Sequence, residues 1–354
     1  MENISILGAG PAGLSAAISL AKAGYEVDVF ERNQDVGRKF YGDLQGLENW
    51  SEKEDILDEL QRMGLDTNFD LHPFSRLMTT NSLKTRNVAT KRPLFYLIKR
   101  GTVPGALDLG LKKQAENEGV DIHFEESIPD EDADIVATGS CHENVVGMVQ
   151  GISFKTDLKD TAVMLFNDQA GFRGYAYLLV TEGQGCLGTV VLEKVQNASQ
   201  CLTRAKKILE NMFQFKIQDA SPCVGVGSFS LKNKFRQGET LYVGEAAGLQ
   251  DFLWGFGLRY ALKSGYLAAQ CIIKGEDYKK DYEKAVQDRF AGKLKAGLVN
   301  RYLWEMTGNG NYDVVINNSQ RIIDNLLWIT NYNIVHRILY PMALRKMKER
   351  YGWL

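Results

Sequence analysis

The chain has 354 residues, 44% of them apolar, with 42 basic against 44 acidic side chains. That length supports two domains and a sizeable core, and a net charge of −2 gives no footprint for nucleic acid, so no such partner is expected. No apolar run reaches the ~20 residues of a membrane span.

The five cysteines, Cys141, Cys186, Cys201, Cys223 and Cys271, show neither CxxC nor metal-ligand spacing. They predict a reduced, cytoplasmic setting and no metal site. An apolar strand already at Ile4 leaves no room for a signal peptide.

"ENISILGAGPAGLSAAISLAKAGYEVDVFER" carries the strongest signal. Ile4, Ile6 and Leu7 form a strand, and Gly8, Gly10 and Gly13 give G-x-G-x-x-G at the turn into a helix, with Pro11 and Ala12 between them. Gly8 allows the tight turn, Gly10 admits a pyrophosphate, and Gly13 lets helix and strand pack closely. A second strand, "EVDVF", delivers Glu31, with Arg32 beside it, 18 residues after Gly13, where a carboxylate meets ribose hydroxyls. The motif predicts an ADP moiety on the helix N-terminus but does not separate FAD from NAD.

"RKFYGDLQGLENW" reads as a loop; Arg38, Lys39 and Gly42 suit passage beside phosphates and the flavin edge, or a plain connection. "KEDILDELQRMGL" reads as an amphipathic helix closed by Gly64. Arg100 precedes a helix with Leu107, Leu111 and Ala115 on one face; "VDIHF" and "DADIVATGS" are strands, the second ending in Ala137, Thr138 and Gly139, small enough for a ligand to lie on backbone. From about Gly151 to Val195, β-rich runs predict an antiparallel sheet, followed by the helix "SQCLTRAKKILENMF".

"ETLYVGEAAG" is a strand running into Gly244 and Glu245, and Gly255, Phe256 and Gly257 open a helix from Leu258. Strand, acid, glycines and helix start repeat the N-terminal arrangement, which predicts a second helix N-terminus aimed at the same dinucleotide. His72, His123, His142 and His336 share no ligand spacing and read as surface or packing residues. Beyond Tyr282 the chain reads as helices, "SQRIIDNLLWITNYNIVHRILY" being one and Pro341 opening the last. Residues 336–354 hold five basic residues against Glu349, interleaved with Tyr340, Met342, Leu344, Met347, Tyr351 and Trp353. They suit either a solvated helix packed on the body or peripheral contact with an anionic membrane.

The chain resembles the FAD-dependent geranylgeranyl reductase family, within the p-hydroxybenzoate hydroxylase-like flavoprotein superfamily. "GAGPAG" with Glu31, Arg100, "VATGS" and "VGEAAGLQDFLWGFGLRYALKSG" carry the resemblance. Gly248 favours the reductase branch, since hydroxylases and halogenases usually have histidine there. Glu245 stands where the family has the aspartate that binds the ribityl chain, and Phe252 where it has proline. "GYAYLLVTEGQGCLG" matches the family's substrate segment only at Tyr175, and "YGDLQG" lacks the cysteine many prenyl reductases place near the flavin.

The resemblance implies an α/β fold: a discontinuous Rossmann-like FAD-binding domain (1–65, 98–150, 225–281), an antiparallel-sheet substrate domain (66–97, 151–224) and a helical C-terminus (282–354). It implies an FAD-dependent oxidoreductase passing hydride from reduced flavin to a carbon–carbon double bond of a hydrophobic, prenyl or lipid-like substrate. The flavin's own electrons would come from NAD(P)H or a ferredoxin-like protein. Tyr175 and Tyr177 are proton-donor and substrate candidates, or sheet packing; Phe252 and Trp254 are candidate cavity walls, or core. The alternatives are a flavin-dependent monooxygenase and a flavin-binding electron-transfer protein.

Overall fold

The computed structural model describes residues 3–140, 145–231, 234–275, 277–307 and 312–352. Cys141, His142 and Trp353 lie outside them. A six-stranded sheet runs in the order Arg236–Gln237, Thr240–Tyr242, Ile135–Val136, Asn3–Leu7, Glu26–Glu31, Asp121–Phe124. Every neighbouring pair is parallel except the two-strand edge Arg236–Gln237/Thr240–Tyr242. Its central strands are near-continuous apolar runs because both faces are covered; Ile6, Val29 and Ile135 have no exposed surface.

Two helices cross on this sheet at close range. Pro11–Lys22 starts on Gly10, and Leu258–Lys274 starts on Gly257. A Cβ on Gly265 would sit 2.0 Å from the Ala12 carbonyl oxygen, and one on Gly13 would sit 2.0 Å from the Gly8 carbonyl oxygen. The Ser15 hydroxyl donates to the Leu262 carbonyl at 2.7 Å, and the Gly244 N–H donates to the Ser264 hydroxyl at 2.8 Å. The small residues of both helices therefore let their backbones touch.

A second sheet has seven strands, in the order Gln218–Ser228, Val145–Lys155, Gln184–Leu192, Tyr175–Thr181, Thr161–Leu165, Arg76–Thr80, Thr85–Ala89. It is antiparallel as expected except at one edge, where Thr161–Leu165 pairs in parallel with Arg76–Thr80. That hairpin reaches the sheet from a distant part of the chain, so no tight turn imposes an antiparallel direction. The helix Ala198–Phe213 covers the outer face with Leu202, Ala205 and Leu209, against Val163, Leu165, Leu178 and Leu187.

Between the sheets lies a three-stranded one, Tyr41–Glu48, Phe95–Gly101 and His72–Phe74. The expected loop is therefore a strand over Tyr41–Glu48; buried Leu44 and Leu47 supply its core contacts, and its glycines hid the pattern. Arg100 likewise lies in a strand, and the following helix opens later, at Leu107.

The C-terminal region begins with the helix Tyr278–Val286, passes one π turn over Gln287–Ala291 and continues as Gly292–Thr307. Short helices follow at Tyr312–Asn317, Ser319–Asp324 and Leu326–Thr330, then Ile334–Tyr351. The single helix expected across 319–340 is broken at Asn325 and again at 331–333. The last helix does not open at Pro341, which lies inside it. Its start is fixed by a capping box, in which Asn333 accepts from Val335 and His336 N–H and the His336 ring accepts from Asn333 N–H.

Candidate functional site

A cavity of about 730 Å³ opens between the six-stranded sheet, the seven-stranded sheet and the start of the helix Leu258–Lys274. One end is the dinucleotide turn. Gly8, Gly10, Pro11, Ala12, Glu31, Arg32, Arg38 and Lys39 line it, with Ala137, Thr138 and Gly139 beside them. Gly8 has φ +107°, and a Cβ there would meet the Ala137 carbonyl oxygen at 2.6 Å. Glu31 accepts the Ala9 N–H at 3.0 Å with one oxygen and the Asn33 N–H at 3.0 Å with the other, which fixes the turn around its carboxylate.

Glu245, Gly255, Phe256, Gly257 and Leu258 line the same cavity. Gly10 and Gly257, far apart in sequence, thus open two helix N-termini onto one crevice. Free N–H groups and two positive dipole ends there favour negative charge. A Cβ on Gly10 or on Gly255 would meet nothing within 4 Å, so the bare backbone faces open space. Phe256 reaches its place because Gly46 has no side chain: a Cβ there would lie 2.7 Å from its ring. Gly13, Gly42 and Gly244 are not lining residues; Gly13 and Gly244 work in the helix packing.

Arg100 lines the wall with its charge already compensated. It donates two bonds to the Asp108 carboxylate, each 2.9 Å, and one to Gln45 at 2.9 Å. The opposite wall is apolar, with Leu77, Met164 and Leu179 from the seven-stranded sheet and Phe95 from the three-stranded one. Tyr175 and Tyr177 line this wall too. The Tyr175 hydroxyl donates to the Trp254 carbonyl, and burial holds both phenols far above the usual range. Phe252 is buried and stacks on Phe229 at 4.1 Å, so its ring serves the core as well as the cavity. Trp254 packs edge-on against Tyr175 and Trp304.

Sequence reasoning missed Asp251. Its carboxylate lines the cavity and accepts the Trp254 N–H at 2.6 Å; its own N–H donates to the Phe256 carbonyl and its carbonyl accepts the Gly255 N–H. Burial pushes its carboxyl up to about 6. The signal was an Asp just ahead of a tight, glycine-closed turn. Asp43 and Cys223 were missed as well, and both line the cavity. His72, His123 and His336 are not lining residues.

Residues 6–43 match the NAD(P)-binding Rossmann-like domain family. Over 98% of its length the chain is 22% identical to the digeranylgeranylglycerophospholipid reductase of Methanocaldococcus jannaschii, of which it covers 97%. A geranylgeranyl bacteriochlorophyll reductase-like structure from Thermoplasma acidophilum superposes with a TM-score of 0.70 at 16% identity, covering 99% of both chains. The chain is thus similar to a digeranylgeranylglycerophospholipid reductase over nearly its whole length and shares the fold of a geranylgeranyl reductase-like structure. The flavin-dependent brominase Bmp2 shares the fold, with a TM-score of 0.68 at 16% identity, covering 98% of this chain and 99% of that one.

The Rossmann-like match, the reductase relative and the shared fold together support an FAD-dependent oxidoreductase. The cavity fits that cofactor. The Gly8 and Gly10 turn would take a pyrophosphate on backbone N–H groups, Glu31 would take ribose hydroxyls, and the Gly255–Gly257 helix start would offer positive potential to the electron-rich edge of a reduced ring. No helix among the described residues is long and apolar enough to cross a membrane.

Proposed function

We propose that this protein is an FAD-dependent enzyme that reduces carbon–carbon double bonds in the prenyl chains of a lipid. The observation that carries the reading is the division of the cavity: a glycine-rimmed, charge-stabilising end faces an apolar wall of Leu77, Phe95, Met164 and Leu179. That wall is backed by the C-terminal helices, through Ile322, Ile323 and Leu326 against Met164 and Leu179, and through Tyr312 and Ile316 against Phe166 and Tyr175. An extended hydrocarbon there is shielded from water while one double bond approaches the cofactor end.

The bound cofactor, once reduced, supplies the hydride. Loop 251–257 and the Leu258–Lys274 helix start would hold its ring, and the apolar wall would orient the hydrocarbon chain and exclude water. The domain division given by the sequence (1–65, 98–150 and 225–281; 66–97 and 151–224; 282–354) belongs to this reading, as do the cofactor and substrate assignments of the lining residues.

The electron donor is either NAD(P)H, docking without a second dinucleotide fold, or a ferredoxin-like protein; stopped-flow reduction of the flavin by each separates them. Contact with a lipid surface through the last helix is part of the same proposal. Ile334, Ile338 and Met342 stand exposed along it, near Arg337, Arg345 and Lys346.

The test is anaerobic. Protein loaded with FAD is reduced by dithionite and mixed with a digeranylgeranyl lipid; the oxidised flavin spectrum returns, and mass spectrometry finds the lipid heavier by hydrogen. A flavin that stays reduced with every prenyl lipid overturns the reading. A hydroxylated product formed in air moves the assignment to a monooxygenase.

A further inference from the structure

The seven-stranded sheet carries a bare patch on its cavity face. Tyr177, Gly188, Gly151 and Cys223 stand in one row across four neighbouring strands, each directly opposite the next in the antiparallel ladders. With strands about 4.8 Å apart, the two central glycines leave a trough about 10 Å wide that no side chain of its own fills.

Tyr177 and Cys223 lean in from the flanks and cover it. A Cβ on Gly188 would lie 2.5 Å from the Tyr177 hydroxyl oxygen, and a Cβ on Gly151 would lie 2.8 Å from Cys223 Sγ. Tyr177 and Cys223 line the cavity, while Gly188 and Gly151 beneath them do not. Nor do Cys186 and Ser153 in the next row, because the strand Tyr41–Glu48 closes over it. The Ser153 hydroxyl donates to Asp43 at 3.2 Å, and Leu44 packs on Cys186 and Cys223. On these strands the cavity floor therefore ends at the Tyr177 ring.

On its other side Tyr177 faces Met164 directly across the ladder, and Leu179 follows it on the same face of its own strand; both belong to the apolar wall. The ring is thus the boundary between that wall and the trough. A tyrosine that only packed the sheet would need no glycine pair beneath it, since glycine weakens a strand interior and is used where something must approach closely. Two side chains have been given up so that one ring closes the space.

We propose that Tyr177 gauges the hydrocarbon of the substrate: its ring closes the Gly188–Gly151 trough, so the chain stops at the ring, and chain length decides which double bond reaches the cofactor end. Each further methylene strengthens binding only where there is room to bury it, and a chain that outgrows the wall leaves its end in water.

The inference takes its substrate from the prenyl-lipid reading, and the test separates the two. Oxidised FAD-loaded protein, which has no hydride to give, is dialysed to equilibrium against geraniol, farnesol and geranylgeraniol. Tyr177→Ala is expected to raise the preference for geranylgeraniol over farnesol about tenfold with FAD affinity unchanged, because the opened trough buries a further isoprene unit. Tyr177→Phe keeps the ring and is expected to keep the wild-type preference. Gly188→Ala approaches from the other side. Its methyl group displaces the end of the ring into the cavity and is expected to weaken binding of all three alcohols about tenfold, an effect that is lost when Tyr177 is alanine as well.

A wild-type preference in Tyr177→Ala, or an equal loss from Gly188→Ala in both backgrounds, overturns the gauge, while binding of prenyl alcohols by the unaltered protein still upholds the reading. Failure of the unaltered protein to bind any of the three overturns both. In turnover on a digeranylgeranyl lipid, Tyr177→Ala is expected to change which double bonds remain, read by fragmentation in the mass spectrometer. The wild-type product pattern from that variant also overturns the gauge.

Discussion

At the scale of single residues, the chemistry of the cavity turns on which polar groups are already engaged. Tyr175 has a phenol in a plausible place, but its hydrogen donates to the Trp254 carbonyl and burial makes it a weaker acid. Tyr175→Phe is therefore expected to lower stability by about 1 kcal/mol, the net worth of one hydrogen bond, and to change the flavin reoxidation rate by less than about tenfold. Urea unfolding and single-turnover reoxidation check the two halves; a loss of about 100-fold or more restores tyrosine as the proton donor. Asp251 makes the opposite case. Its folded carboxyl titrates at about 6, raised above the unfolded value chiefly by burial, with Glu48 adding to the effect. A raised carboxylate favours the folded state at low pH, and that contribution is lost as pH climbs from about 4 through about 6. Asp251→Asn keeps an acceptor for the Trp254 N–H and removes the titration. Wild-type protein is expected to lose more stability than Asp251→Asn between pH 4.5 and pH 7.5, measured as urea midpoints. Equal pH slopes for the two proteins contradict the buried-carboxyl assignment.

At the scale of elements, the two helices that start on Gly10 and Gly257 hold the site through their contact with each other. Gly265 decides how close they come, since a Cβ there would lie 2.0 Å from the Ala12 carbonyl oxygen, a backbone atom that no side-chain rotation can move. Alanine raises helix propensity by about 1 kcal/mol over glycine, while an overpacked contact costs about 1–3 kcal/mol. The clash with backbone wins, so Gly265→Ala is expected to lower the melting temperature. It should also weaken FAD binding, read from flavin fluorescence, because the crevice between the helix starts widens. An unchanged FAD affinity means the helix starts bind independently. These helices were legible in the sequence: glycine spacing, a following acid and an apolar strand are local signals, and both starts could be read from a dozen residues. The strand Tyr41–Glu48 was not, because its glycines interrupt alternation and its pairing with Phe95–Gly101 spans half a hundred residues of chain. Asp43 and Cys223 were invisible as cavity-lining residues for the same reason, since their neighbours lie on other strands. Pro341 was misread because a proline at a helix start and one inside a helix look alike until the Asn333 capping box fixes the boundary.

At the scale of the whole molecule, the C-terminal helices back the apolar wall and then turn an apolar ridge outward. Ile334 and Ile338 are 62% and 70% exposed, and Met342 lies two turns along from Ile334. Exposed aliphatic side chains among Arg337, Arg345 and Lys346 suit insertion at the headgroup level of an anionic bilayer, where apolar burial and charge attraction add. Deleting residues 336–354 is a poor test of this, because the same helix buries Ala343, Met347 and Tyr351 in the body. Its end is also tied down: the Tyr351 hydroxyl donates to Glu305 at 2.6 Å, and Arg301 holds the same carboxylate at 2.9 Å. Truncation would expose core and make the protein adhere to vesicles for the wrong reason. Ile338→Asp changes the ridge alone, since its side chain packs on little and an exposed substitution costs within about 0.5 kcal/mol. Wild-type protein is expected to pellet with vesicles containing anionic phospholipid, less so as salt rises, and Ile338→Asp to remain in the supernatant with an unchanged melting temperature. Equal pelleting of the two proteins removes the ridge from the membrane and leaves the prenyl substrate to reach the cavity from solution or from a carrier.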